Sequence, residues 1–387
     1  MKRKDIEILT RGIENIFTKE ELKEKIERKK VLTVKYGADP SKPDLHLGHY
    51  VCLRKLREFQ ELGHRVVFII GDFTAMIGDP SERSKTRPML TKEEVEKNSK
   101  TYFEQAYKIL DKDKTEIRFN SEWLSKLKPE DIVKLSATTT VAKMLDRDDF
   151  SKRFKEGIPI SLHEFLYPIF QAYDSIFIRA DVEIGGTDQH FNFALTREIM
   201  RQLGLEPQVF ITLPLIEGID GKLKMSKSYG NSINFFDDPK DVFGKVMSIP
   251  DSLIFKYYKV VLLKDSEEVK EYIEKSPLEA KEDLAFEITK IFHGEKEAIK
   301  AREYFIKTFR KREVPQEVPE FKVKSKKLFE ILFEAKIVQS KSEARRLIRQ
   351  SGVDLDGKAI EDENYVPEKG EHILKVGKRK FFKVIVE

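Results

Sequence analysis

Val66-Val67-Phe68-Ile69-Ile70, closing on Gly71-Asp72, is the stretch that decides the fold. It is apolar without alternation and largely β-branched, the pattern of a strand buried on both faces of a parallel sheet. A second such run, Val31 to Val34, lies upstream, and between the two Tyr50 to Leu62 reads as a helix that stops at Gly63. Strand, helix and strand make a βαβ unit. Working outward, Glu116–Phe119, Ser175–Ile178 and Val209–Leu213 are further candidate strands, and Ala180 to Ile184 is strand-like. The expected class is a doubly wound α/β domain, with its ligand beyond the carboxyl ends of the strands. Residues 1 to 30 read as helical, with Ile6, Ile8, Leu9, Ile13 and Ile16 on roughly one face.

From about Pro239 to Lys311 the pattern turns to charged helical periodicity, and Lys311 to Glu320, with prolines at 315 and 319, reads as a linker. A chain of 387 residues suggests two or three domains, and a 40% hydrophobic content is ample for buried cores. No stretch approaches the roughly 20 apolar residues of a membrane span, so no membrane partner is expected. The charged start, Met1-Lys2-Arg3-Lys4-Asp5, lacks the apolar core of a signal peptide. A single cysteine, Cys52, excludes an intrachain disulfide and fits a reducing cytoplasm. The chain holds 72 Lys+Arg and 67 Asp+Glu; Phe321 to Glu387 alone holds 16 and 11. The remainder carries 56 of each, so the whole excess of +5 sits in the tail, which suggests a polyanionic partner over a merely solvated surface.

Two short motifs carry chemistry. His46-Leu47-Gly48-His49 opens the first helix after a Gly37-Ala38-Asp39-Pro40-Ser41 turn. Backbone N–H groups at a helix start favour anionic phosphate, and imidazoles there hydrogen-bond its oxygens. A metal reading of the two histidines lacks a third ligand in a recognised spacing, so no metal ligand is assigned. Lys224-Met225-Ser226-Lys227-Ser228 sets two lysines three apart in a Gly-flanked segment, which suits a loop closing over a triphosphate. Asp79 follows the second strand, with either a turn or a ligand role, and Ser81, Arg83, Ser84, Lys85 and Arg87 form a basic, hydroxyl-rich loop. Asp188, after Gly185-Gly186-Thr187, is placed to accept ribose hydroxyls or orient an amine, with a plain glycine turn as the alternative. On a helix, Tyr167, Gln171 and Asp174 fall at i, i+4 and i+7 and make one polar stripe beside Ile169, Phe170 and Ile176. A carboxylate there can accept from a phenol while tyrosine and glutamine hold an amino group.

The two motifs resemble the HIGH and KMSKS signatures of class I aminoacyl-tRNA synthetases. Gln171-Ala172-Tyr173-Asp174 and Gly185-Gly186-Thr187-Asp188-Gln189 narrow that resemblance to the tyrosyl branch. The resemblance implies a Rossmann-like catalytic domain with a connective insertion over 1–218, then the signature loop, a helical anticodon-recognition domain and the linker over 219–320. It implies a small α+β S4-like RNA-binding domain over 321–387. It implies tyrosine binding by Asp79, Tyr167, Gln171, Asp174 and Gln189, with Asp174 on the phenol. ATP would meet Asp39, Ser41, His46, Gly48, His49, Asp188, Lys224 and Lys227, the histidines and lysines being the catalytic set. ATP with magnesium as the substrate complex, no tightly bound cofactor, tRNA(Tyr) and L-tyrosine as partners, a homodimer and a cytoplasmic location are implied with it. One departure stands out: where many tyrosyl enzymes place a phenol-gripping tyrosine two residues before Gly37, this chain has Lys35, and Tyr36 points to the other side of a continuing strand.

Activation needs no enzyme nucleophile: a carboxylate displaces pyrophosphate in line at the α-phosphorus, and positioning with preorganised positive charge dominates. A pocket that hydrogen-bonds a substrate hydroxyl rejects the analogue lacking it without editing; the standing example of that rule is itself a tyrosine-activating enzyme, so its magnitude is no result of this chain. In the tail, Ser340 and Glu343 make an expected capping box for a helix through Gln350, with Gly352 past its end. Ala344, Leu347 and Ile348 face inward, Lys341, Arg345 and Arg349 form a basic stripe beside Arg346, and strands turned at Asp356-Gly357 and at 377–379 follow. These four basic residues are the tRNA-contact candidates. A tryptophanyl-tRNA synthetase shares both signatures but not Asp174 or the S4-like tail. An RNA-binding descendant without catalysis is opposed by His46, His49, Lys224 and Lys227, and a nucleotidyltransferase by Lys224 to Ser228 with the tail.

Overall fold

Val66 to Ile70 is the inner part of strand β3 (Arg65–Ile70), and all five residues are buried to within 1%. The structure is a computed structural model that describes residues 3–81, 90–310, 319–324, 326–377 and 380–387. In chain order the strands around β3 are β1 (Asn15–Phe17), β2 (Thr33–Ala38), β4 (Thr115–Phe119), β5 (Val182–Gly186) and β6 (Val209–Leu213). They form one sheet in the order β1-β6-β5-β2-β3-β4, parallel except for β1. The Leu47–Glu61 helix connects β2 to β3, as a βαβ unit requires, and buries Leu47, Val51, Leu53, Leu56 and Phe59. The Leu162–Ile178 and His190–Gln202 helices pack on each other and flank β5 in the chain. This sheet, its helices and the helical stretch from Pro239 belong to a compact unit spanning Met1–Ala298.

Two sequence expectations fail here. Ser175–Ile178 is not a strand but the last turn of the Leu162–Ile178 helix, which runs on until Arg179 takes a left-handed φ of 53°. Residues 1 to 30 are not continuously helical: the Arg3–Thr10 helix stops, Gly12 turns at φ 65°, and β1 pairs Ile16 with Ile211 before the Lys19–Arg28 helix begins. Ile16 suits an apolar helix face and a three-residue edge strand equally, and the antiparallel partner on β6 decides between them. The basic loop residues Arg83, Ser84, Lys85 and Arg87 lie outside the described residues, as does most of the Lys311–Glu320 linker.

The second unit spans Ile299–Glu387. Its sheet runs β7 (Glu320–Val323), β11 (Lys380–Val386), β10 (Gly370–Val376), β8 (Val353–Leu355) and β9 (Lys358–Ala359) in spatial order. The Leu328–Glu334 and Lys341–Arg349 helices close its core through Leu328, Ile331, Leu332, Ala344 and Ile348 against Val353, Leu374 and Val384. Ser340 Oγ caps the second helix by accepting from the Glu343 N–H at 3.1 Å. The reciprocal arm of the expected box differs: the Glu343 carboxylate reaches past Ser340 to the Gln339 N–H, at 2.8 Å. The left-handed residue after this helix is Ser351, at φ 53°, rather than Gly352. No helix among the described residues is long and apolar enough to cross a membrane.

Candidate functional site

A cavity of about 290 Å³ opens where β2, β3 and β5 end, and residues from every predicted motif of the first unit line it. His46 is the N-cap of the Leu47–Glu61 helix, and its Nδ1 accepts from the Gly48 N–H at 3.1 Å. His49 Nδ1 accepts in turn from the His46 N–H at 3.1 Å. Burial, then the nearby positive charges, holds both rings neutral: His49 is lowered to about 3 and His46 falls well below its ordinary value. A neutral ring whose Nδ1 accepts carries its proton on Nε2, so each imidazole offers an N–H to an anion without bringing a charge. Gly48 leaves room for this cap: a Cβ there would stand 3.0 Å from the His46 ring and press it aside by a few tenths of an ångström.

The segment that follows the lysine motif is tied to this helix start by backbone pairing. The Leu47 N–H donates to the Ile233 carbonyl at 2.9 Å and the Phe235 N–H to the Leu45 carbonyl at 3.0 Å, an antiparallel bridge centred on His46 and Asn234. Lys224 lines the cavity with its ammonium 2.9 Å from Asp188 Oδ2. Asp188 sits where Gly186 leaves room, since a Cβ on Gly186 would meet Asp188 Oδ1 at 2.6 Å. Lys227 is not brought into the lining: its ammonium donates to the Lys42 carbonyl at 2.9 Å and lies 5.4 Å from the Tyr102 ring centre. Burial lowers its pKa to about 7. Asp39 and Ser41 are at the cavity wall, and burial raises Asp39 to about 7 although the Thr74 and Tyr167 hydroxyls both donate to it, at 2.8 and 3.0 Å.

The Leu162–Ile178 helix turns Tyr167, Gln171 and Asp174 to the same cavity, as the i, i+4, i+7 spacing predicts. Asp174 is 5% exposed; its Oδ1 accepts from Trp123 Nε1 at 2.7 Å and its Oδ2 from Asn120 Nδ2 at 3.2 Å. Burial raises it to about 6 against the pull of Lys35 and those two donors. Asp79 accepts from Gln189 Nε2 at 2.8 Å and from the Ser81 hydroxyl at 2.6 Å, and lies 3.5 Å from Arg147. Burial opposes ionisation of Asp79, but Arg147 and these donors outweigh it and hold the group below the usual carboxylate range. Asn192 Nδ2 donates to both Gln171 Oε1 and Gln189 Oε1, at 2.9 and 3.0 Å, so the two glutamine amides are fixed by one side chain.

Sequence reasoning missed Asn120, Trp123, Arg147, Glu183 and Asn192. Asn120 was within reach of it, being the residue after the strand β4, where a parallel sheet places its ligands. Trp123, the only tryptophan, is drawn in because its N–H needs a buried acceptor. Lys35 was noted as a departure; it is 1% exposed and paired with Glu183 at 2.9 Å. Tyr36 does point to the other face of β2, and its ring stacks on Phe68 at 5.6 Å.

In the second unit, the basic stripe is partly answered by carboxylates. Arg349 lies 2.6 Å and Arg345 4.0 Å from Glu363, Lys341 lies 3.4 Å from Glu330, and Arg345 covers the Phe329 ring at 4.2 Å. Arg346 lies on the exposed side of the same helix.

Residues 27–310 match the family described as tRNA synthetases class I (W and Y), and residues 311–384 match the Tyrosine--tRNA ligase SYY-like C-terminal domain. The chain is 55% identical over 387 residues to the tyrosine–tRNA ligase of Thermotoga maritima, covering 98% of this chain and 96% of that one. It is 52% identical over 384 residues to that of Aquifex aeolicus, covering 98% of each. Among solved structures, Archaeoglobus fulgidus tyrosyl-tRNA synthetase complexed with L-tyrosine superposes with a TM-score of 0.64 at 26% identity, over 77% of this chain and 99% of that one.

Proposed function

Since this chain belongs to the tyrosine–tRNA ligase family of class I tRNA synthetases, we propose that it joins L-tyrosine to ATP and hands the tyrosyl group to tRNA(Tyr). The tyrosine carboxylate attacks the α-phosphorus of ATP in line, pyrophosphate leaves, and the 3'-terminal ribose hydroxyl of tRNA then takes the acyl group with release of AMP. The observation that carries the reading is that one cavity is lined both by Asp174, a buried carboxylate for a phenol, and by the His46–His49 and Lys224–Ser226 motifs.

Within that cavity Asp174 accepts the phenol hydroxyl, and Tyr167, Gln171 and Asp79 hold the α-amino group, with Gln189 beside them. The carboxylate of Asp79, kept ionised by Arg147, suits an ammonium. His46 and His49 present their Nε2–H donors to the phosphates where charge grows in the transition state, and Gly48, without a side chain, leaves ATP room against the helix start. Asp39, Ser41 and Asp188 take the remaining polar groups of ATP, and Lys224 and Lys227 receive the departing pyrophosphate. For Lys227 this requires leaving the Lys42 carbonyl, a movement of the loop and not of the sheet. Magnesium enters with ATP as its substrate complex.

The chain divides, on this reading, into a catalytic region over 1–218, the lysine loop with a helical anticodon-recognition region over 219–320, and an S4-like RNA-binding domain over 321–387. In the last of these Lys341, Arg345, Arg346 and Arg349 meet the tRNA backbone. A homodimer working in the cytoplasm completes the proposal. Amino-acid-dependent ATP–pyrophosphate exchange, run with all twenty amino acids and magnesium, tests it. Exchange with tyrosine alone is expected; exchange with tryptophan would assign the sister specificity, and none at all would leave only an RNA-binding protein.

A further inference from the structure

Lys35 occupies β2 at the cavity wall, 1% exposed, and its ammonium meets three acceptors. These are the Gln171 carbonyl at 3.2 Å, Ser175 Oγ at 2.8 Å and Glu183 Oε1 at 2.9 Å. An ammonium has three N–H donors, so each has a protein acceptor and Lys35 acts on a substrate only through its neighbours. Two of those acceptors, Gln171 and Ser175, bracket Asp174 on the Leu162–Ile178 helix; the third stands on β5. Glu183 also accepts from the Ser175 hydroxyl at 3.1 Å, from the Gln171 amide at 3.3 Å and from the Gln208 amide.

We propose that Lys35, held by Glu183, is a specificity-determining positioning residue: it fixes the turn that carries Asp174 and sets a positive charge beside that carboxylate, so that the phenol meets an ionised acceptor. The inference rests on the reading of Asp174 as the phenol partner and adds to it the group that keeps Asp174 charged. A buried carboxylate in this position favours its neutral form. Asp174 faces Lys35 from β2, Glu183 from β5, Asp39 beyond the end of β2, and Tyr167 on its own helix, with the neutral donors Trp123 and Asn120 completing its surroundings. Of these, Lys35 pulls most strongly toward ionisation, and Glu183 opposes it more weakly. A protonated Asp174 loses the charge that makes the hydroxyl of tyrosine worth more than the bare ring of phenylalanine.

The opposite signs of Lys35 and Glu183 supply the test. The ratio of kcat/KM for tyrosine to that for phenylalanine is measured by pyrophosphate exchange from pH 5 to 9 on the full chain. The ratio cancels groups that serve both substrates, Asp39 among them. In the wild type the ratio should fall on the acid side of about pH 6. Lys35→Met combined with Glu183→Gln removes the pair without stranding a buried charge, and should move that fall upward by roughly one pH unit. Its loss should appear in KM for tyrosine more than in kcat. Glu183→Gln alone leaves the ammonium three acceptors, the amide oxygen standing in for the carboxylate beside Gln171 and Ser175, removes the opposing negative charge, and should move the fall downward. Shifts in the same direction for both variants, or a fall that stays in place in both, overturns the proposal. Should the double variant not fold, the direction of the Glu183→Gln shift still decides. Failure of the underlying reading looks different: there Asp174→Asn leaves the wild-type ratio unchanged at every pH.

Discussion

Replacing Asp174 with asparagine keeps the shape of the side chain and removes one acceptor. Oδ1 is engaged by Trp123 Nε1 and Oδ2 by Asn120 Nδ2, in a site only 5% exposed. An asparagine that keeps its oxygen on Trp123 turns an amide N–H₂ toward Asn120 and toward the phenol. The hydrogen bond lost to tyrosine is one to a charged acceptor, worth about 1.5–3 kcal/mol, which is roughly 10- to 150-fold in kcat/KM. Phenylalanine makes no such bond, so its kcat/KM should hold and the Tyr/Phe ratio should fall by the same factor. Initial rates of pyrophosphate exchange at pH 8, where Asp174 at about 6 is ionised, measure both. Thermal unfolding separates specificity from folding. The native pKa of Asp174 is raised, so its contribution to stability is full below the unfolded value near 4 and is lost as pH rises through about 6. At pH 8 the wild type therefore carries a handicap of about 3 kcal/mol from this group, which the asparagine lacks, and the re-paired donors offset part of that gain. Tm at pH 8 should be unchanged or higher. An unchanged Tyr/Phe ratio, or a lower Tm with equal losses for both amino acids, refutes the reasoning.

Three further outcomes are expected. Lys227→Ala should slow adenylate formation by about 10²–10³-fold while tyrosine affinity, read by fluorescence titration, stays within a few fold; equal losses in both would remove its transition-state role. Arg153→Met breaks the buried pair with Glu164, 2.6 Å apart, and should cost about 3–5 kcal/mol in urea unfolding; a cost below about 1 kcal/mol would show that Glu164 finds other compensation. A chain ending at Glu320 should still form tyrosyl-adenylate but charge tRNA poorly and with a flatter salt dependence; undiminished charging would rule out an important RNA contact in the second unit.

The strands β3 and β6 were legible because a parallel strand covered on both faces must be apolar throughout, and few other elements of that length are. The same rule misled at Ser175–Ile178, where a helix end packed against the sheet is as apolar as a strand. The polar stripe of Tyr167, Gln171 and Asp174 was legible from spacing alone. Its supports were not: Lys35 meets its helix acceptors 136 and 140 residues further along the chain, and Asn120 lies 54 residues from Asp174. Spacing reveals what shares one element, whereas partners gathered from β2, β4 and β5 are set by how the sheet is wound. The position of Lys227 was beyond any local pattern, because a lysine on a loop has no fixed partner until the loop is placed.

The pairing of Leu45 and Leu47 with Ile233 and Phe235 has a consequence for how the protein comes into being. A nascent chain that has emerged only as far as residue 220 holds all six strands of the first sheet, but neither the lysines nor the stitch at residues 233–235 that lies beyond them. Nucleotide chemistry is thereby withheld until the ribosome has delivered the far side of the seam. The same seam marks a place to divide the protein: two fragments cut between Gly218 and Lys224 each carry half of the reacting centre, and recovery of activity on mixing them reports the seam re-forming between separate chains.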